Sequence, residues 1–146
     1  MLVVDTNVLV YAANAASPFH AKCSEWLHRQ RNGAVSWFVT WPILYEFLRA
    51  TTHPKVFDRP WSVGAAWGFV ESLLASPGLG ILEHTERHAA VAAATISEFP
   101  RLAGNIVHDL HTAILMREHG ISRICTCDAD FHRFAFLQVL DPLVAA

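Results

Sequence analysis

The chain has 146 residues, 53% of them hydrophobic and 16% charged, and a formal net charge of −2. That length suits one ordinary domain, spanning residues 1–146, that buries its core without disulfide or metal staples, and the composition excludes a disordered segment. No apolar run approaches the roughly 20 residues of a membrane helix, and Met1-Leu2-Val3-Val4-Asp5 lacks the basic start of a secretion signal, so a cytoplasmic location and no membrane partner are expected.

Leu2-Val3-Val4 is a short apolar run of the kind a buried strand shows. A helical stretch follows Asp5, and another runs from about Phe19 to Arg31, closed by Asn32-Gly33. Ala34 to Val39 reads as a second strand. Trp41 to Thr51 is helical, with Pro42 tolerated in its first turn, and His53-Pro54 breaks it. Ser62 caps a helix to about Ala75, and Ile81-Leu82 is a weak strand. Thr85 opens an alanine-rich helix that must end before Pro100, and Gly104-Asn105 opens one more that stops at Gly120. Ser122 to Thr126 and Leu137 to Leu140 close the chain as strands. Strands separated by helices of ten or more residues predict an α/β fold in three layers, a mainly parallel sheet with helices on both faces. In such folds sites form outside the carboxyl ends of the strands.

Three cysteines, Cys23, Cys125 and Cys127, are too few and too irregular for a disulfide framework. Cys125-x-Cys127 has no second pair at zinc-finger spacing, so the thiols read as small and mostly buried.

The carboxylates carry more information. Asp5 directly follows the first strand, and Asp128 follows Ile124-Cys125-Thr126 in the same way. If those strands are parallel neighbours, both acids emerge at one edge. Asp109 lies a turn into its helix, on a face shared with Thr112, Ala113 and Met116, where an acid needs a partner. Glu46 sits opposite the stripe of Leu44, Phe47 and Leu48. Singly, each has a plainer role: Asp5 as a helix N-cap, Glu46 paired with Arg49, Asp128 and Asp130 as turn formers before Phe131. Together they recur at the ends of elements that should share one edge. Two unit charges about 4 Å apart repel by about 4 kcal/mol at an effective dielectric of 20, so converging acids either take up protons or hold a divalent cation. Oxygen donors favour Mg²⁺ or Mn²⁺ over Zn²⁺, and phosphodiester hydrolysis is the natural chemistry of such an ion.

Four blocks then resemble a known family. Val3-Val4-Asp5-Thr6-Asn7-Val8-Leu9 is similar to the opening signature of PIN domains. Leu44-Tyr45-Glu46-Phe47-Leu48-Arg49, with Thr51 to Phe57 after it, resembles the second acidic block of VapC toxins. Gly104 to His111 resembles the third, and Thr126-Cys127-Asp128-Ala129-Asp130-Phe131 the fourth. The order and spacing fit over nearly the whole chain. The resemblance implies a ribonuclease toxin whose acidic quartet, Asp5, Glu46, Asp109 and Asp128, binds Mg²⁺ or Mn²⁺, with Asp130 a fifth candidate ligand. It implies that Asn7 and Thr126 orient the quartet. It also implies an RNA substrate such as tRNA or rRNA, a homodimer, and a small VapB-like antitoxin that holds the toxin inactive.

The net charge suits this reading better than it first suggests. From −2, setting aside Asp5, Glu46, Asp109, Asp128 and Asp130 leaves the rest at +3, and nine of the eleven cations are Arg, the better residue for bidentate phosphate contacts. Arg49, His53, Lys55 and Arg59 cluster after Glu46 and are candidate phosphate contacts; His108, and His111 beyond it, flank Asp109 as further candidates. The competing view is an ordinary solvated loop. His84 and His88 stand four apart, but Glu86 falls one residue late for H-E-x-x-H, so that zinc motif is absent. The five tryptophans suit cores and interfaces, with Trp26 and Trp67 in helices fit for a dimer surface. Three alternatives stand beside the toxin reading. A haloacid-dehalogenase-like phosphatase needs a second Asp where Asn7 stands. A silent PIN-fold binding module would keep the fold without activity, and a housekeeping RNA-processing nuclease would cut RNA without arresting growth.

Overall fold

The computed structural model describes residues 1–144. Five short strands, β1 (Leu2–Val4), β2 (Trp37–Val39), β3 (Leu79–Ile81), β4 (Arg123–Cys125) and β5 (Gln138–Leu140), form one all-parallel sheet in the order β3-β2-β1-β4-β5. The apolar run expected at the N-terminus is the central strand because it has no polar residue to offer solvent: Leu2, Val3 and Val4 are all buried. β2 and β3 flank it on one side and β4 and β5 on the other, with Val3 opposite Ile124 and Leu2 opposite Trp37.

Six helices link and cover the strands on both faces. α1 (Thr6–Ala13) packs against both α2 (His20–Asn32) and α3 (Trp41–Thr51), and α3 against α4 (Val63–Leu74); α5 (His88–Glu98) packs on α6 (Ile106–Glu118). Local chemistry sets several boundaries. Thr40 and Ser62 cap α3 and α4 by accepting the backbone N–H groups of Ile43 and Ala65, each at 3.1 Å. Pro42 sits in the first turn of α3, where its missing N–H costs nothing. Gly120, at φ +70°, lets α6 end in a Schellman turn: Ile121 N–H donates to the Met116 carbonyl at 2.9 Å and Gly120 N–H to that of Arg117 at 3.2 Å. That turn aims the chain straight into β4.

Two expectations need correction. The second strand covers Trp37–Val39 and not Ala34–Val39, because the residues ahead of it are exposed and only Trp37 onward reaches the ladder. Thr85 does not open α5, which starts three residues later at His88. Its hydroxyl and N–H are both taken by the Glu118 carboxylate, the N–H at 2.5 Å, so neither serves the helix. The turn weighed for Asp128 and Asp130 is present, as a 3₁₀ helix at Ala129–Arg133.

The chain builds β1, β2 and β3 outward in one direction, then returns past β1 to lay β4 and β5 on the other side. The strand order reverses between β1 and β4, the switch point at whose carboxyl ends open α/β sheets form their crevice. Asp5 and Asp128 stand at its lip.

Candidate functional site

Asp5 is fixed by the sheet itself. Its backbone N–H donates to the Cys125 carbonyl at 3.0 Å, extending the β1–β4 ladder by one step. Its side chain then meets Thr126, the residue after β4. Asp5 Oδ2 accepts the Thr126 hydroxyl at 2.8 Å and the Asn7 amide at 3.0 Å, while Oδ1 accepts Thr6 N–H at 2.8 Å. Asp5 is thus an N-cap and an anchored carboxylate at once.

Asn7 binds both loops together. Its amide also reaches Thr126 Oγ1 at 3.1 Å, and its Oδ1 accepts Cys127 N–H at 3.0 Å. Thr126 Oγ1 in turn accepts Asp128 N–H at 3.0 Å, so its donor and both acceptor positions are used. Asp128 Oδ1 accepts Asp130 N–H at 2.9 Å and starts the 3₁₀ turn. The positions of Asp5 and Asp128 are therefore set by one continuous set of hydrogen bonds through Asn7 and Thr126.

Asp109 comes to the crevice from α6, whose Thr112, Ala113 and Met116 are buried on the same side. Carboxylate oxygens of Asp109, Asp128 and Asp130 lie within 4.8 Å of one another. Burial, together with the charges of Asp5, Asp128 and Asp130, pushes the Asp109 carboxyl up to about 7. Asp5 is also raised, chiefly by burial, although its hydrogen bonds with Thr126 and Thr6 pull the other way. Mutual repulsion, like that expected of a carboxylate cluster, is thus built into the site.

Glu46 lies outside that trio. On the exposed face of α3 it is bidentate to Arg49, at 2.5 and 3.0 Å. The Arg49 hydrogen bond holds its carboxyl below the usual range, and the His108 charge adds in the same direction. The i, i+3 pairing weighed from the sequence is therefore present. Of the other candidate phosphate contacts, Lys55, Arg59 and His108 are exposed, and His53 Nδ1 accepts the Lys55 N–H at 3.1 Å. Among the described residues, Arg49 is the one of these five with a hydrogen bond to an acid of the set.

All donors around Asp109 are carboxylate oxygens, a set that suits a hard divalent cation. Among the described residues Asp109 receives no hydrogen bond that would favour its ionised form, only burial and three like charges. A cation between Asp109, Asp128 and Asp130 would remove that repulsion, so the residues fit Mg²⁺ or Mn²⁺.

The sequence reading missed a second cluster. His84, on the loop after β3, and His88, at the start of α5, meet His111 of α6, and Glu118 closes on His88 at 2.7 Å. Two spacings in the sequence pointed to it: His84 and His88 four apart, set aside above for want of H-E-x-x-H, and His111 and Glu118 seven apart on one helix face.

Comparison with known proteins agrees with this fold. The PIN domain family model matches residues 2–137. Ribonuclease VapC37 of Mycobacterium tuberculosis is 37% identical over 134 residues, covering 92% of each chain. Ribonuclease VapC48 of the same species is 32% identical over 138 residues, covering 94% of each. Among solved structures, Mycobacterium tuberculosis VapC20, described as a sarcin-ricin loop cleaving toxin, superposes with a TM-score of 0.67 at 18% identity, over 94% of this chain and 97% of its own. VapBC2 of Rickettsia felis, bound to a DNA fragment from its promoter, gives 0.67 at 15% identity, over 95% and 96%. The structures attest the fold and the sequence relatives the lineage; on both grounds the chain belongs to the PIN-domain family, in its VapC branch.

Proposed function

We propose that the chain is a Mg²⁺- or Mn²⁺-dependent endoribonuclease, the toxin of a toxin–antitoxin pair, and that it acts on cellular RNA such as tRNA or rRNA. The observation that carries the reading is the Asp109 carboxyl, pushed up to about 7 among Asp5, Asp128 and Asp130 at the mouth of the β1–β4 crevice. Relatives at 31–37% identity are named ribonucleases, which supports reading RNA as the substrate of that carboxylate set.

In this reading Asp5, Asp109 and Asp128 hold the cation, with Asp130, close to the last two, as a further ligand. Glu46 completes the quartet when Arg49 turns away to a phosphate. A bound divalent ion supplies Lewis acidity to a phosphoryl oxygen and lowers the pKa of a water for in-line attack. The protein supplies placement. Asn7 and Thr126 lock the Asp5 carboxylate and the backbone leading to Asp128, so the acids need no reorganisation when substrate arrives. Arg49, Lys55, Arg59 and His53 line the exit of α3 and take the RNA backbone, with His108, whose charge reaches Glu46, adding to them from α6.

The partner is a small VapB-like antitoxin. Several similar structures are toxin–antitoxin complexes, among them those of Klebsiella pneumoniae and nontypeable Haemophilus influenzae. A homodimer is proposed for the free toxin. A cytoplasmic site of action agrees with the substrate; among the described residues no helix is long and apolar enough to cross a membrane.

The test is a gel of total cellular RNA incubated with purified, antitoxin-free protein, with Mg²⁺ or EDTA, beside Asp109→Asn. Discrete fragments that vanish with EDTA and with the variant are expected. Intact RNA throughout, from folded protein, would overturn the nuclease in favour of a binding module. Growth arrest on induced expression separates a toxin from a housekeeping nuclease.

A further inference from the structure

α6 faces two clusters. Asp109 points into the acidic crevice, while His111, two residues on and about 200° around the helix, points toward α5. There it meets His84 from the loop after β3 and His88 from the first turn of α5. One ring nitrogen from each histidine lies within 4.8 Å of the other two. The closest pair, His84 Nε2 and His111 Nε2, is 3.0 Å apart. Two nitrogens bound to one tetrahedral zinc at about 2.0–2.1 Å stand about 3.3 Å apart. His84 is exposed and the other two are half-buried, so small side-chain rotations bring the third nitrogen in.

Chemistry around the rings favours an ion. In the His84–His111 contact one nitrogen must carry a proton and the other must accept it; a cation replaces that proton and uses both lone pairs. His88 is already oriented. Its Nδ1 donates to Glu118 Oε2 at 2.7 Å, which leaves Nε2 as the free lone pair and supplies the carboxylate–histidine pairing usual behind a metal-ligating imidazole. Glu118 is itself fully buried, and burial alone would raise its proton affinity, but hydrogen bonds from Thr85 and His88 outweigh that and lower it to about 2. The same residue accepts Thr85 N–H at 2.5 Å, and its carbonyl accepts Arg87 Nη2 at 2.6 Å, so the whole Thr85–His88 segment is clasped to the end of α6. A buried acid serving one imidazole and its loop is the supporting shell of a site, already assembled.

We propose that His84, His88 and His111 bind Zn²⁺, or a cation of its borderline class, with Glu118 behind His88 and water in the fourth position. Imidazole donors select this class over the hard ions that suit the acidic crevice. The ion clamps the β3–α5 loop to α6, the helix that carries Asp109. The site is independent of the nuclease reading.

The experiment titrates EDTA-treated, full-length protein with Co²⁺ and follows visible absorption, then adds Zn²⁺. Expected are strong bands of a low-coordinate cobalt centre saturating at one ion per chain, bleached by Zn²⁺ and untouched by excess Mg²⁺. Asp109→Asn should keep the bands, while His84→Ala and His111→Ala should lose them with unchanged circular dichroism. Glu118→Gln should weaken binding about 10- to 100-fold. A rise in melting temperature with Zn²⁺, absent in His84→Ala, reports the clamp without any activity assay. Missing bands, bands that survive both histidine variants, or bands lost with Asp109→Asn would each overturn the proposal.

Discussion

Replacing Asp109 with Asn should abolish cleavage and yet stabilise the metal-free protein at alkaline pH. The carboxyl goes from 3.8 to about 7 on folding, driven by burial and then by the charges of Asp5, Asp128 and Asp130. At about 1.4 kcal/mol for each tenfold change in proton affinity that shift is worth about 4 kcal/mol. Asp109 is only half-buried, and solvent screening on its open side reduces the figure to about 1–2 kcal/mol. The sign follows from linkage. The folded chain holds this proton more tightly than the unfolded one, so stability falls as pH rises from about 4 to about 7 and stays at its lower level above that. Asparagine never ionises, and the carboxylate it replaces receives no stabilising hydrogen bond among the described residues. The variant should therefore equal the parent near pH 4 and exceed it by about 1–2 kcal/mol at pH 8, a rise of about 3–8 °C in melting temperature for a chain of this size. The assay is urea unfolding or thermal melting in EDTA across pH 4–8. A variant that is less stable at every pH, or whose difference from the parent does not change with pH, would refute like-charge repulsion as the organising force of the site.

Mg²⁺ or Mn²⁺ binding must displace the same proton, so affinity measured by calorimetry should rise about tenfold from pH 6 to pH 8 and level off beyond that; Asp109→Asn should remove that slope. Asn7→Ala takes away the bonds to Asp5, Thr126 and Cys127. It should cost about 2–3 kcal/mol in denaturant unfolding and lower cleavage about 10- to 100-fold; an unchanged melting curve would mean the network is not under load. Glu46→Gln breaks an exposed pair with Arg49 and should change stability by less than about 0.5 kcal/mol. The same variant should cut cleavage sharply if Glu46 joins the quartet, and unaltered turnover would remove it. Thr126→Val leaves Asp5 Oδ2 and Asp128 N–H each short of a partner and should destabilise by about 1–3 kcal/mol, read by thermal melting.

What the sequence determined by itself is whatever depends on neighbours along the chain. The Leu2-Val3-Val4 run had no polar face, so it had to be an interior strand. Pro42 and the Ser62 cap marked helix starts, and Gly120 a helix stop, because each residue's backbone chemistry acts within a turn or two. The alternation of strands and helices made the sheet parallel, and parallelism brought Asp5 and Asp128 to one edge.

Only the tertiary structure decided what lies between elements far apart in sequence. That β4 returns beside β1, with Asp5 N–H bonded to Cys125 across 120 residues of chain, follows from the strand order and from no local pattern. The Glu46–Arg49 pair and the acidic trio are both legible as spacings, but which of them Glu46 joins depends on the approach of α3 and α6 to the crevice. Thr85 had the look of a helix cap, yet a longer-range acceptor, Glu118, won it. The three histidines were invisible as a group because no motif spans 27 residues and two helices. Burial and proximity, which set every proton affinity discussed above, are properties of the packed fold and not of the order of residues.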